Sequence, residues 1–196
     1  MKEYTVAITG ASGSACARRL LRELASHPDV SVVHTVMSSS AVMVAREELG
    51  PADAGVKDIR AAMSGGLAKV TWHEEGDFRA PIASGSHQVG GMAIVPCSTG
   101  TLGTIASGAS RNLIHRAAEV CLKERRRLIL GLRETPLSEI QITNMLAVTR
   151  AGAVVLPITP AFYSHPRSLD DVVELYVARV LDLMDLPHTL GRRWGS

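Results

Sequence analysis

The feature that most constrains this chain is a repeated one. Short β-rich runs end in small, hydroxyl- or glycine-rich turns, and a stretch of helical periodicity follows each. Tyr4–Thr9 (YTVAIT) enters Gly10-Ala11-Ser12-Gly13, and then Ser14–Ser26 places Leu20, Leu21 and Leu24 on one side. Val30–Met37 enters Ser38-Ser39-Ser40 and a helix over Ala41–Leu49, and Met92–Val95 stops at Pro96-Cys97-Ser98-Thr99-Gly100-Thr101-Leu102. Leu128–Leu132 (LILGL) ends in Arg133-Glu134-Thr135-Pro136, and Ala153–Leu156 leads to a proline-stiffened loop that presents Tyr163. Such alternation implies a Rossmann-like, doubly wound parallel sheet with helices on both faces and right-handed crossovers. Ligands of these sheets bind outside the carboxyl ends of the strands, so the turns form one candidate site.

The opening strand–GASG–helix suits a mononucleotide, with backbone N–H groups and the helix N-terminus holding phosphate. The full G-x-G-x-x-G is absent, and the second strand ends in serines where NAD-binding folds place an acidic residue, so a dinucleotide is disfavoured. Ala68–Trp72 is a further candidate strand, followed by the acidic loop HEEGDF. Ala83-Ser84-Gly85-Ser86 is a small-residue turn that a flat ligand could approach closely. In RAAEVCLKERRRLILGLRETP (116–136), Arg116 and Lys123 are seven apart and nearly eclipse on a helix, beside the apolar stripe Leu113, Ala117, Val120. Next to a strand that delivers Arg133-Glu134 to its tip, they read either as the floor of an anion site or as a solvated helix end followed by a salt bridge. The last helix starts at Ser168 with Asp171 in capping-box position, and its stripe is Leu169, Val172, Val173, Tyr176, Val180 and Leu183. Arg179 lies at the edge of that stripe.

With 196 residues the chain suits a single domain, 1–196, with a sizeable core. A net charge of +2 argues against a general nucleic-acid surface. Cys16, Cys97 and Cys121 have no metal-like spacing, and the seven histidines are scattered without HExxH, so no metal is expected. Neither a signal peptide nor a membrane span is expected, and reducing cytoplasm is the default environment.

Taken together, TGASG (9–13), the Ser of VMS (38), ASGS (83–86), PCSTGTL (96–102), RAAEVCLKERR (116–126), RETP (133–136), PAFY (160–163), SLDDVV (168–173) and RW (193–194) resemble the flavin prenyltransferases, the UbiX family of Rossmann-like FMN proteins. The landmarks run in order from end to end. Related flavin-dependent cysteine decarboxylases carry a PASANT-type motif and a catalytic histidine; PCSTGTL stands in place of the first.

The resemblance implies metal-independent transfer of a dimethylallyl group from dimethylallyl phosphate to N5 and C6 of reduced FMN. The product, prenylated FMN, would serve a UbiD-type decarboxylase. By position, Gly10, Ala11, Ser12, Ser38, Ser98, Thr99, Gly100, Thr101 and Arg133 would hold FMN. Arg116, Lys123, Tyr163 and Arg179 would hold the allylic phosphate. Ser12, Glu48 and Glu134 would manage protons, with Lys123 counted among the catalytic groups, and Trp194 would close over the site. Glu47 rivals Glu48 on sequence alone. The resemblance also implies a homo-oligomer, a dodecamer in many relatives, with sites completed by neighbouring subunits. Many members carry an aromatic soon after GASG; Ser14-Ala15-Cys16-Ala17 here bears on pocket shape and allyl donor. The competing readings are an FMN or prenyl-FMN carrier, which needs no second phosphate site, and a flavin-dependent decarboxylase.

Overall fold

A computed structural model describes residues 1–50 and 54–191. Six strands, β1 (Lys2–Ile8), β2 (Val30–Met37), β3 (Val70–His73), β4 (Met92–Cys97), β5 (Leu128–Leu132) and β6 (Val154–Val155), form one sheet of order β3-β2-β1-β4-β5-β6. Every pairing is parallel. The helices are α1 (Ser14–Ser26), α2 (Ser39–Leu49), α3 (Val56–Ser64), α4 (Thr99–Ala106), α5 (Leu113–Lys123), α6 (Glu139–Arg150) and α7 (Leu169–Leu183).

The period-2 alternation of the strands divides the core in two. Tyr4, Val6 and Ile8 of β1 pack with Leu20, Leu21 and Leu24 of α1 and with Tyr176, Val177 and Val180 of α7. Ala7, with Leu128, Leu130 and Leu132 of β5, packs on the other face against Leu102 of α4 and Leu113, Ile114 and Ala117 of α5. Strands buried on both faces explain the near-continuous apolar runs. Pro96 interrupts the β4–β5 ladder, whose register skips between Ile94 and Cys97, because proline offers no N–H.

Local signals set the helix ends. Ser38, Ser98, Asn112, Ser138 and Ser168 cap their helices through side-chain oxygens, and Ser138/Gln141 and Ser168/Asp171 form capping boxes. The expected α7 stripe is corrected at Leu169, which is 74% exposed, because the first turn overhangs the core; Val177 and Leu181 take part instead. Among the described residues, no helix is long and apolar enough to cross a membrane.

Candidate active site

The sheet order reverses between β1 and β4, and their tips are bound together there. Thr9 donates its N–H (3.1 Å) and its hydroxyl (3.0 Å) to the carbonyl of Pro96, and Ser98 N–H donates to Thr9 Oγ1 at 2.8 Å. A cavity of about 380 Å³ opens over these tips, lined by Thr9, Ser38, Ser40, Ser98, Gly100 and Thr101 among others. A larger cavity of about 460 Å³ lies at the amino edge, among Gly90, Arg125 and Asp185. The smaller one occupies the topological switch point, where parallel sheets bind their ligands.

Ser38 caps α2 through Ala41 N–H and lies 3.0 Å from the Ser40 hydroxyl. Ser98 accepts from Thr101 N–H at 3.3 Å and donates to Thr101 Oγ1 at 3.1 Å. Gly10 must be glycine for steric reasons: a Cβ there would lie 2.5 Å from Ser40 Oγ and 2.6 Å from Ser40 Cβ. Gly10→Ala should therefore cost about 1–3 kcal/mol by overpacking and weaken flavin binding. Urea denaturation and flavin titration would check this; wild-type values in both would show that the two tips separate freely.

Glu48, in the last turn of α2, folds back onto the start of α1. Its carboxylate accepts from Gly13 N–H (3.1 and 3.2 Å) and Ser14 N–H (2.7 Å). Burial pushes its pKa up, but hydrogen bonds from the Ser12 and Ser14 hydroxyls and the two amides outweigh this and hold it below its ordinary value. Glu47 and Glu48 are both exposed, and it is Glu48 whose carboxylate meets the Ser12 hydroxyl. One expectation is corrected here. The Gly13 and Ser14 amides after GASG hold the Glu48 carboxylate, whereas Ser98, Gly100 and Thr101 at the start of α4 face the cavity.

The cavity also contains residues that the sequence did not single out: Glu75, Arg111, Asn112 and His115. Glu75 accepts from Ser39 N–H (3.2 Å) and Asn112 Nδ2 (3.4 Å), joining the acidic loop to the starts of α2 and α5. His115 Nδ1 is buried without a partner, and burial, aided by Arg111, lowers the pKa of the ring. An Asn N-cap ahead of Leu113-Ile114 was the available signal, since it places the start of α5 at the carboxyl edge of the sheet.

A flavoprotein family profile matches residues 1–181. Flavin prenyltransferase UbiX of Halalkalibacterium halodurans is 44% identical over 194 residues, covering 98% of this chain and 93% of that one. The Aquifex aeolicus flavin prenyltransferase UbiX is 44% identical over 196 residues, covering 99% of each. The chain belongs to the flavin prenyltransferase family. Among solved structures, AnUbiX in complex with FMN and dimethylallyl pyrophosphate superimposes with TM-score 0.86 at 42% identity, covering 100% of this chain and 98% of that one. A dodecameric FMN-dependent UbiX-like decarboxylase from Escherichia coli O157:H7 gives 0.87 at 41%, covering 99% and 100%. A PPC decarboxylase mutant, 14% identical with TM-score 0.63, shares the fold.

Among the described residues, Lys123 and the Arg133-Glu134 pair lie at opposite edges of the sheet. Because α5 runs antiparallel to the strands, Lys123 at its C-terminus lies at the amino edge of the sheet, whereas Arg133 and Glu134 lie beyond the carboxyl end of β5. Five strand residues, about 16 Å, lie between those levels. The expected floor joining Arg116 and Lys123 to Arg133-Glu134 in one chain is therefore corrected. Arg116 and Lys123 do share a face, but it meets the 83–87 turn. Arg116 Nε donates to the Ala83 carbonyl at 3.0 Å, Arg126 donates to the carbonyls of Gly85 and His87, and Lys123 pairs with Glu124. The ASGS turn thus lies against α5 rather than at the strand tips.

Arg133 and Glu134 are exposed at the β5 tip, where Glu134 accepts from Thr135 N–H at 3.0 Å. Tyr163 is exposed on a 3-10 turn, and Arg179 on α7 donates to Asp182 at 2.6 Å. Trp194 lies outside the described residues. Where many relatives have an aromatic, Ser14 and Cys16 are buried, and burial holds the Cys16 thiol up at about 11, so it packs as a small apolar group.

Proposed function

We infer that this chain is a flavin prenyltransferase, joining a dimethylallyl group to N5 and C6 of reduced FMN to give prenylated FMN. The observation that carries this reading is the Ser12–Glu48 couple beside a hydroxyl-lined cavity at the switch point, on a chain aligned end to end with UbiX proteins. The cavity fits FMN: Ser38, Ser98 and Thr101 present hydroxyls, and Gly100 at the start of α4 a helix N-terminus, to a phosphate. The reduced flavin supplies the nucleophilic N5 and C6 positions.

This chain's residues supply the rest. Breaking an allylic C–O bond leaves a phosphate, whose developing charge Arg116, Lys123, Arg179 and the Tyr163 phenol stabilise. Arg116 and Lys123 share a face of α5, while Arg179 is on α7 against the other face of the sheet, so neighbouring copies of a homo-oligomer bring them to one pocket. Self-association is further supported by α6, where Ile140, Ile142 and Leu146 are exposed and only Val148 is buried. Ser12 and Glu48 hold a proton position beside the β1 tip, Arg133 contacts the flavin, and Glu134 accepts the C6 proton. The donor is dimethylallyl phosphate, the product passes to a UbiD-type decarboxylase, and the setting is the cytoplasm.

Glu134→Gln should retain FMN but slow product formation by at least about tenfold, because the amide cannot accept a proton. Product formation at the wild-type rate would remove Glu134 from the mechanism. The reading as a whole is tested by anaerobic incubation with reduced FMN and dimethylallyl phosphate, and in parallel the diphosphate, followed by mass spectrometry of the extracted flavin. A flavin heavier by the five-carbon unit supports it. Unmodified flavin from both arms would favour a carrier, and loss of carbon dioxide from an added acid without a partner would favour a decarboxylase.

A further inference from the structure

Away from the strand tips, four separate segments bring Glu3, His34, His73 and His87 together. Glu3 lies near the start of β1, His34 lies within β2, His73 ends β3, and His87 lies in the loop before β4. His34 is two residues from Val36, which packs in the α5-side core, so the period-2 rule puts both on that face. Glu3 Oε2 is 2.8 Å from Nε2 of His34 and 2.8 Å from Nε2 of His87, and His34 Nδ1 is 2.9 Å from His73 Nε2. His34 stacks on His73 with centroids 5.2 Å apart and meets His87 edge-on at 5.3 Å. The His34 side chain is 8% exposed, while Glu3 and His87 open to solvent at 31% and 29%.

We propose that Glu3, His34 and His87 form a binding site for a divalent transition metal of the zinc class, oriented by His73. Their donor atoms all lie within 4.8 Å of one another. Two imidazoles and one carboxylate form a donor set that zinc accepts with a position left open, whereas magnesium and calcium require more oxygens. Tetrahedral bonds of the usual length place ligand atoms about 3.3 Å apart, so small side-chain rotations from 2.8 Å are enough to admit the ion.

The proton positions also fit. With the Glu3 carboxylate as acceptor, His34 and His87 donate to it from Nε2, which leaves His34 Nδ1 to accept from His73 Nε2–H. Metal binding needs the lone pair on each Nε2. His34 supplies it by moving its proton to Nδ1 and donating to His73 Nε2, with the His73 proton then on Nδ1. His87 supplies it by the same shift to its own Nδ1. No proton has to leave the cluster. A ring N–H donated to a fixed acceptor is how metal-bound histidines are held, and that makes His73 a positioning residue. The ion would join β1, β2 and the loop before β4. It lies about 20 Å along β1 from Thr9, counting six residues at strand rise, so it takes no part in the chemistry at that chain's tips.

The inference stands independently of prenyl transfer, and its test reads metal binding directly. Metal-free, FMN-loaded protein would be titrated with Zn²⁺ by calorimetry and with Co²⁺ by absorption. The expected result is saturable binding at one site per chain, a tetrahedral cobalt spectrum, and a melting temperature that rises with zinc. His87→Ala and Glu3→Gln should each abolish all three signals while retaining FMN, and His73→Ala should weaken affinity about 10–100-fold. Glu3→Gln preserves side-chain size, so it remains decisive if His87→Ala disturbs the fold. Zinc binding that is absent from the wild-type protein, or undiminished in Glu3→Gln, would overturn the proposal and leave the cluster as a hydrogen-bonded network only.

Discussion

Glu48→Gln should slow prenyl transfer by about 10²–10⁴-fold, the usual contribution of a positioned acid or base. The amide still accepts from Ser14 N–H, so α1 remains capped and the chain folded, but it cannot exchange a proton with Ser12. FMN should stay bound, because the residues facing the cavity are untouched. Glu47→Gln, one residue earlier in the same turn of α2, should turn over like wild type. Anaerobic single-turnover assays of the two variants would measure the difference, and equal rates would remove Glu48 from the proton path. The pH dependence has a definite sign. The Glu48 carboxyl is held below its ordinary value in the folded chain, so its stabilising effect is complete above about pH 4.3. That effect is lost as pH falls through the lowered value, because the protonated form accepts fewer hydrogen bonds. Melting curves should show Glu48→Gln losing the acid-side part of the wild-type pH dependence.

Lys123→Ala or Arg179→Ala should cut prenyl transfer by about ten- to a hundredfold and leave flavin affinity within a few-fold. Each removes a charge-assisted contact to phosphate worth about 1.5–3 kcal/mol, and about 1.4 kcal/mol is tenfold in rate. Both side chains point outward, Lys123 toward Glu124 at the amino edge and Arg179 toward Asp182 on α7, so neither serves the core. Their separation on one chain gives a second measurement. Co-expressing the two variants should return part of the activity, because in a mixed oligomer each chain supplies the group the other lacks. If co-expression restores nothing while each single variant is slow, the pocket is not shared between copies. If both variants lose FMN and fold together, the cations are structural.

The sequence resolves whatever depends on near neighbours. Strand runs, helix periods and hydroxyl caps such as Ser38, Ser98 and Ser168 are local, and the structure follows them to within a few residues at each element. Parallel alternation then places Gly10, Ser38, Ser98 and Arg133 on one edge, since every strand of such a sheet ends on the same side.

Direction and long-range pairing are another matter. Helical spacing showed that Arg116 and Lys123 share a face, but not that α5 descends the sheet and carries Lys123 away from the β5 tip. GASG suggested phosphate on the α1 amides; the closure of α2 over α1, 34 residues apart in the case of Ser14 and Glu48, placed a carboxylate there instead. Scattered histidines gave no metal spacing, yet strand register aligns His34 beside Thr5 and Thr71, and the loop before β4 brings His87 onto Glu3. Sequence alone determined the alternation, the caps and the edge on which the strand-tip turns gather, because each follows from backbone preferences within a few residues. The partners of Glu48, Lys123 and His34 were decided only by tertiary structure, because they depend on which elements pack together and on how far each strand slides against the next.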